Sequence, residues 1–235
     1  VFGSASCIRF SSPKQTTIRA TSTVRLENKS SDWLFARGDL GTGVSTESRL
    51  PDQLNGTKIW SYDIKGGGVP VIAGDKVYQF GYYGEGEHVE ESLTCLNIEN
   101  GELIWDRRRQ DFISDIVYDR YGVGSACVDS ESGNIFFQTS PGLLVGYSPD
   151  GSLLWERSLM EEFSRLTFPN GRTGGPCVDE GLVIIHAITA NWGTNGPARD
   201  RFYAFDKTTG ELVWTSTPGT TPKDSSFAPL IFEDM

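Results

Sequence analysis

Four copies of a short pattern, in which a glycine stands four residues before a tryptophan, recur along this chain. The fullest copy is Ala204–Trp214 (AFDKTTGELVW), and reduced copies end at Trp60, Trp105 and Trp155. The corresponding glycines are Gly56, Gly101, Gly151 and Gly210. Only six tryptophans occur in 235 residues, so four matches at one spacing indicate an internal repeat.

Each copy predicts a β-hairpin. A short apolar run ends in a polar residue such as Asp206, a tight turn closes on glycine, and a second apolar run leads to tryptophan. Asp, Asn and Ser side chains stabilise such turns, and glycine adopts the positive φ that other residues avoid. A buried tryptophan removes about 150–250 Å² from water, so we expect one indole per repeat to join neighbouring units.

The segments between the hairpins complete the repeat. Each unit opens with a Gly-rich step into a strand, followed by an acidic turn and a β-rich run such as Lys76–Phe80. Four short antiparallel strands per 45–60 residues are typical of a propeller blade. Three full units are predicted, at about 66–109, 122–158 and 172–216. Partial blades before and after them predict an incomplete all-β propeller, the N-terminal part of a larger one or a truncated product.

The repeat resembles the pyrroloquinoline-quinone-type (PQQ-like) propeller repeat. Its docking signature, Ala-x-Asp-x-x-Thr-Gly-x-x-x-Trp, is matched in full by Ala204–Trp214 and in part by the copies ending at Trp105 and Trp155. Residues 33–45 are similar to the opening of secreted bacterial members, except that a proline is missing. The resemblance covers about residues 32–235 and implies the fold, without specifying an activity.

The first 31 residues differ in composition from the rest. They contain eleven Ser or Thr residues and carry a charge of +4, whereas the whole chain carries −10. We expect residues 1–31 to be a disordered leader, with an organellar transit peptide as the alternative, and residues 32–235 to form the partial propeller. The acidic body argues against nucleic acid as a partner, and no apolar run is long enough for a membrane span.

Cysteine spacing contains no Cys-x-x-Cys pair and no cysteine–histidine metal pattern. Cys127 and Cys177 both begin a Cys-Val-Asp segment, so they are predicted to occupy equivalent strands of adjacent units. Such strands normally stand too far apart for a disulfide, and we expect buried free thiols.

Strand parity places the long variable segments together at one edge of the blades, which we call the loop face. They are 81–92, 106–123, 139–143, 160–173, 187–201 and 217–225, while the short turns lie at the opposite edge, the turn face. Loops on a rigid scaffold usually carry binding function. Candidate binding residues on the loop face are Tyr82, Tyr83, His88, Tyr121, Arg172, Trp192 and Arg199.

The sequence gives weaker evidence for catalytic, metal or anion-binding sites than for a binding surface. His88 and His186 are the only histidines, and two histidines do not define a metal site. The segment 84–91 carries four carboxylates but lacks the ligand spacing of a calcium loop, so we expect a solvated acidic loop. Arginines 107–109 could recognise carboxylate or phosphate, although solvated charge around an outer strand is the favoured interpretation.

The resemblance implies two alternative functions. Non-enzymatic family members work outside the cytoplasm, for example in outer-membrane protein assembly, so we expect an extracytoplasmic, non-catalytic module without a cofactor. Its partner would be another protein or missing C-terminal blades. The alternative is a segment of a quinoprotein alcohol or sugar dehydrogenase that binds PQQ and Ca²⁺. The vicinal Cys-Cys pair of the alcohol-oxidising members does not occur in this chain.

Overall fold

Short runs of β-branched and aromatic residues pair into three antiparallel sheets in the computed structural model of the chain. The structure describes residues 32–38, 41, 43–45, 52, 58–113, 120–163, 175–189, 199–217 and 230, without the side chains of 187–189, 199 and 200. The leader 1–31 lies outside these residues. Each sheet has four strands in chain order, as the repeat predicts.

The strand bounds follow the predicted units. Sheet 1 contains β1 (Val71–Ala73), β2 (Lys76–Tyr83), β3 (Glu90–Asn97) and β4 (Leu103–Arg109). Sheet 2 contains β5 (Cys127–Val128), β6 (Ile135–Gln138), β7 (Leu143–Tyr147) and β8 (Leu153–Ser158). Sheet 3 contains β9 (Cys177–Asp179), β10 (Leu182–Thr189), β11 (Arg199–Asp206) and β12 (Leu212–Ser216).

Helix is scarce in the described part of the chain. One 3-10 turn spans Gly86–His88, and one short helix, α1, spans Leu159–Phe163. Residues 58–60, at the end of the partial blade predicted before the first unit, are not assigned to a strand. Trp33 instead forms an antiparallel bridge with Ile72, next to the first strand of sheet 1.

Equivalent residues in the three sheets form cross-strand rows that end in tryptophan. The rows are Val71–Tyr78–Cys95–Trp105, Cys127–Phe136–Gly146–Trp155 and Cys177–Ile184–Ala204–Trp214. Cys127 and Cys177 therefore occupy the same first-strand position, and both are buried free thiols, as predicted. Cys7 lies outside the described residues.

Two apolar cores lie between successive sheets. The first combines the tryptophan row of sheet 1 with buried side chains of sheet 2 that include Phe137, Val145 and Tyr147. The second combines the tryptophan row of sheet 2 with Val183, Ile185 and other residues of sheet 3. Each sheet thus presents one apolar face to each neighbour, which is the packing of consecutive propeller blades.

A β-bulge precedes each tryptophan of the three sheets. The cross-strand pairing skips Ile104 in β4, Leu154 in β8 and Val213 in β12. A bulge changes the direction of the side chains that follow it, so it sets the face on which the next residue, the tryptophan, lies. The skipped residues are themselves exposed, at 45%, 41% and 55%. The bulges also interrupt the outer strand edges, which discourages pairing with other strands.

Lys207 ties sheet 3 to sheet 2 through charge. Its Nζ lies 3.1 Å from Oδ2 of the buried Asp129 and 2.7 Å from Oε2 of Glu131. Burial alone would lower the pKa of Lys207, but hydrogen bonds to Glu131 and Asp129 raise this pKa overall. The lysine therefore stays charged and neutralises a buried carboxylate.

We expect Lys207→Met to lower the free energy of unfolding by about 2 kcal/mol, because Asp129 keeps its buried charge without a counter-ion. Urea unfolding followed by tryptophan fluorescence measures this loss. The control is Lys65→Met, whose ion pair with Glu85 is exposed and should contribute much less to stability. Equal losses in the two variants would contradict the inter-sheet role of Lys207.

Candidate functional site

Three tryptophan rings lie directly over the glycine of the next hairpin. A Cβ atom built on Gly101 would lie 2.6 Å from Cδ2 of Trp60, and one on Gly210 would lie 2.6 Å from Cδ2 of Trp155. The corresponding distance from Gly151 to Trp105 is 2.8 Å. These separations are below van der Waals contact, so each glycine leaves room for the indole of the preceding unit.

The indole N–H groups repeat one hydrogen bond. Trp60 Nε1 donates to the Ile98 carbonyl at 2.8 Å, Trp105 Nε1 to Pro149 at 3.2 Å, and Trp155 Nε1 to Lys207 at 3.0 Å. Each acceptor lies in the turn that the ring covers. Ring packing and hydrogen bonding together make this contact directional, since a buried indole N–H needs a partner.

The turns that receive the rings have the local chemistry expected from the sequence. Asp206 Oδ1 accepts hydrogen bonds from the amides of Thr208 and Thr209 at 2.9 and 2.8 Å. These bonds lower the pKa of Asp206, and the bond from the Thr209 amide has the largest effect. Gly210 closes the turn with φ of +72°. Trp214 is partly buried and packs on the Cys177–Ile184–Ala204 cluster together with Leu230. Gly56 lies outside the described residues.

The loop face brings three segments together around a small cavity. The cavity measures about 110 Å³ and is lined by Val89, Glu91, Arg109, Gln110, Asp111, Phe112, Ile113, Tyr121, Thr139, Pro141 and Leu143. These residues come from the β2–β3 loop and β3, from the end of β4 and the link between sheets 1 and 2, and from the β6–β7 loop with the start of β7. Gln110 Nε2 also donates to the Glu87 carbonyl at 3.1 Å, joining the first two segments. Phe112 and Ile113 remain 52% and 39% exposed beside the cavity.

Tyr82 and Tyr83 are consecutive residues of β2 and lie on opposite faces of sheet 1. Tyr82 packs edge-on against the buried Tyr121, with ring centroids 5.7 Å apart. Tyr83, the next residue on β2, lies 3.4 Å from the Tyr62 hydroxyl and beneath the Arg108 guanidinium, which is 4.0 Å from its ring centroid. Burial, followed by the bond to Tyr83, raises the pKa of Tyr62 to about 12, so its phenol is neutral at physiological pH.

The other predicted loop-face residues are placed less completely. His88 ends the exposed 3-10 turn Gly86–His88. Arg172 and Trp192 lie outside the described residues. Arg199 begins β11, but its side chain is not described. The described part of the predicted surface is therefore the region around Tyr82, Tyr83, Phe112 and Tyr121.

Glu91 is not part of a solvated acidic loop, contrary to the sequence prediction. It lies in β3, its side chain is 4% exposed, and it contacts two distant loops. Oε1 accepts hydrogen bonds from the Gly122 amide at 2.8 Å and the Ser140 hydroxyl at 2.5 Å, and Oε2 accepts one from the Ser140 amide at 2.7 Å. The 84–91 segment itself offered no signal, because burial of this carboxyl depends on residues 31 and 49 positions away.

Arginines 107 and 109 also differ from the prediction of solvated charge. Arg107 Nε donates to the Gly151 carbonyl at 2.6 Å, and its guanidinium lies 5.4 Å from the Trp105 ring centroid. Arg109 Nη2 lies 2.8 Å from Glu156 Oε2. Both side chains thus connect sheet 1 to sheet 2, so they are structural contacts rather than free anion-binding forks.

The quinoprotein alternative implies a site for calcium and quinone. No three His, Cys, Asp or Glu side chains among them come together as metal ligands. His186 is buried and stacks on Phe202 with ring centroids 4.8 Å apart. No helix in the described part of the chain is long and apolar enough to cross a membrane.

A larger groove, of about 720 Å³, lies at the outer edge of sheets 1 and 2 rather than at the loop face. It is open and is lined in part by Leu103, Ile104, Trp105 and Pro149. Leu103 and Ile104 are 48% and 45% exposed there. The groove follows the line where an indole meets the next turn, and it is a second surface that a partner could contact.

Comparison with known proteins gives both a family and a fold. The model of the family described as outer membrane protein assembly factor BamB matches residues 89–231. No curated protein matches the chain. Among solved structures, a europium-containing methanol dehydrogenase aligns with a TM-score of 0.58 at 17% identity, over 82% of this chain and 33% of that protein. The chain therefore spans about a third of the length of that enzyme.

Two further structures align less closely. A quinohemoprotein alcohol dehydrogenase from Pseudomonas putida HK5 has a TM-score of 0.48 at 18% identity, over 72% of this chain and 23% of that one. BamB from Moraxella catarrhalis has a TM-score of 0.35 at 14% identity, over 67% of this chain and 51% of that one. The family match covers more than half of the sequence and agrees with the three four-stranded sheets. The chain belongs to the PQQ-like β-propeller repeat family whose model is described as outer membrane protein assembly factor BamB.

Proposed function

We propose that the chain is a non-catalytic protein-binding module that presents its loop face to a partner polypeptide in an extracytoplasmic compartment. The match to a family described by outer-membrane protein assembly supports a role in binding other proteins. The stacked sheets act as a rigid scaffold, and the loops vary around it. In this proposal the tryptophan–glycine contacts hold the scaffold, and the loop face makes the contact.

The observation that carries the proposal is the composition of the loop face around its cavity. Tyr121 and Arg109 line it together with Phe112 and Ile113, and the last two side chains are exposed. Tyrosine, phenylalanine and arginine are the residues enriched at protein interfaces, where they fill pockets and exclude water. A cavity of about 110 Å³ next to exposed apolar side chains suits one anchoring side chain of a partner.

A photo-crosslinking amino acid at Phe112 tests this surface. We expect crosslinks from position 112 to one envelope protein, and none from the same group placed at Glu99, an exposed turn-face residue. The partner identified in this way should then bind the purified chain, and Phe112→Ser should weaken that binding about tenfold without changing the melting temperature, because the ring is already exposed. Crosslinks from Glu99 or from Leu103 in the outer groove, with none from position 112, would contradict the proposed surface.

The alternative, a segment of a quinoprotein dehydrogenase, needs a separate test. The likeness to the methanol dehydrogenase is at 17% identity, so it supports the fold alone. Purified chain mixed with PQQ and Ca²⁺ should neither shift the quinone absorbance nor oxidise alcohols with an artificial electron acceptor. Stoichiometric binding of the quinone would favour the dehydrogenase alternative over the binding module.

A further inference from the structure

The buried carboxyl group of Glu91 fastens two loops to sheet 1. The first loop follows sheet 1 in the chain and contains Gly122. The second loop connects β6 to β7 and contains Ser140. Both reach the same side chain through the three hydrogen bonds of 2.5 to 2.8 Å. The carboxyl group is thus a shared anchor for segments that are not otherwise neighbours in sequence.

The two fastened loops form walls of the loop-face cavity. Tyr121 precedes Gly122 and lines the cavity, while Thr139 and Pro141 flank Ser140 and line it as well. Movement of either loop away from Glu91 would therefore change the shape of the cavity. The empty volume beside these walls leaves them room to move, which a fully packed core would not.

Among the described residues, four ionisable side chains surround Glu91, and they are Tyr82, Arg109, Asp111 and Tyr121. Tyr82 on β2 and Arg109 on β4 lie directly across from Glu91 in the sheet. Asp111, on the link that follows β4, lines the same cavity and has the same sign of charge. Tyr121 contributes its phenol ring from the Gly122 loop.

The one cation in this set, Arg109, is held by other partners. Its Nη2 lies 2.8 Å from Glu156 Oε2 and 3.1 Å from the Tyr147 hydroxyl. Removing a carboxylate from water is unfavourable when only neutral donors replace the water. Burial accordingly raises the pKa of Glu91, and the bonds from Ser140 and Gly122 oppose this rise only in part.

A neutral carboxyl group can keep all three contacts. Its carbonyl oxygen accepts the Ser140 amide, and its hydroxyl group donates to the Ser140 hydroxyl, which can act as an acceptor. The hydroxyl oxygen still has a lone pair for the Gly122 amide. Protonation therefore removes the buried charge without removing a fastening.

We propose that Glu91 is a proton-sensitive latch of the loop face: the neutral carboxyl group keeps the Gly122 and Ser140 loops closed over the cavity, and ionisation loosens them. In the loosened form the carboxyl group is hydrated and has the ordinary pKa of a glutamate side chain, which is lower than the pKa of the closed form. The closed form binds the proton more tightly, so protonation favours closure. The latch loosens as pH rises from the ordinary pKa through the raised pKa of the closed form.

Residue-resolved hydrogen exchange of the whole chain tests the latch between about pH 4 and pH 8. After correction for intrinsic exchange, protection of the Gly122 and Ser140 amides should fall by up to about tenfold per pH unit between the two pKa values. The Gly210 amide, which bonds to the Asp206 carbonyl in sheet 3, should not show this fall. In Glu91→Gln, which cannot ionise, the fall should disappear.

A second variant keeps the test decisive if Glu91→Gln does not fold. In wild type, the hydrogen bond from the Ser140 hydroxyl lowers the pKa of Glu91. Ser140→Ala removes this bond, which should raise the pKa, and leaves both backbone donors in place. The midpoint of the fall should therefore move to higher pH. Protection that is constant or rises with pH in the wild type, an equal fall in Glu91→Gln, or an unmoved midpoint in Ser140→Ala would each overturn the proposal. The experiment needs no binding partner, so its outcome is independent of the proposed function.

Discussion

Replacing Trp155 by alanine should lower the free energy of unfolding by about 4 kcal/mol. The indole is 8% exposed, stacks on Phe136 at 5.4 Å and covers Gly210 of the next sheet. Its removal leaves a cavity between sheets 2 and 3 and an unsatisfied Lys207 carbonyl. Chemical unfolding monitored by circular dichroism measures the loss.

The neighbouring residue Leu154 provides the control for Trp155. It precedes Trp155 on β8 but is the skipped residue of the bulge and is 41% exposed, so Leu154→Ala should cost less than about 1 kcal/mol. Trp155→Phe should fall between the two, because it keeps an aromatic ring but loses the N–H bond to Lys207. If Trp155→Ala were no more destabilising than Leu154→Ala, the indole would not join the sheets.

Gly210→Ala is expected to cost about 3 kcal/mol. About 1 kcal/mol comes from placing a Cβ at φ of +72°. The remainder comes from the new Cβ, which would lie 2.6 Å from the Trp155 ring and force the indole or the turn to move.

Gly74→Ala separates these two contributions. Gly74 has φ of +60°, close to that of Gly210, but a Cβ added there would have no heavy atom within 4 Å beyond its chain neighbours. Gly74→Ala should therefore cost only the backbone contribution of about 1 kcal/mol. Comparable losses at the two positions would show that backbone strain, and not the indole, explains the glycine.

Much of the fold is predictable because the repeated residues act locally. Asp206 and Gly210 specify a turn whatever lies around them, and the alternating apolar runs beside them specify strands. The positions shared by Cys127 and Cys177 then follow from alignment of the units. These features depend on a few neighbouring residues, so one sequence is enough to recognise them.

The bulges were missed because they depend on pairing between strands. Nothing in Leu103-Ile-Trp105 shows that Ile104 is skipped; only the register against Cys95 and Leu96 reveals it. The sequence shows an apolar residue directly before each of these tryptophans. In a strand whose side chains alternate between two faces, two adjacent apolar residues would point to opposite faces. The repeated apolar residue in front of tryptophan is the signal that could have indicated a bulge.

The loop face was predicted only in outline. Strand parity brings the right segments together, but it does not show which side chains turn inward. Glu90 and Glu91 are adjacent in an acidic run, yet their surroundings differ. Glu91 is buried, whereas Glu90 is half-buried and pairs with Arg108 at the surface. The donors that accommodate Glu91 come from Gly122 and Ser140, so its burial is a property of the assembled sheets.

The most direct test of the account is a double-mutant cycle between Trp155 and Gly210. If the indole occupies the space that glycine leaves, Gly210→Ala should cost about 3 kcal/mol in the wild type but only about 1 kcal/mol in the Trp155→Ala background. The coupling energy between the two substitutions, about 2 kcal/mol, would then equal the cost of the contact between the new Cβ and the Trp155 ring. Additive losses in the double variant would contradict the central claim that each tryptophan joins its sheet to the glycine of the next.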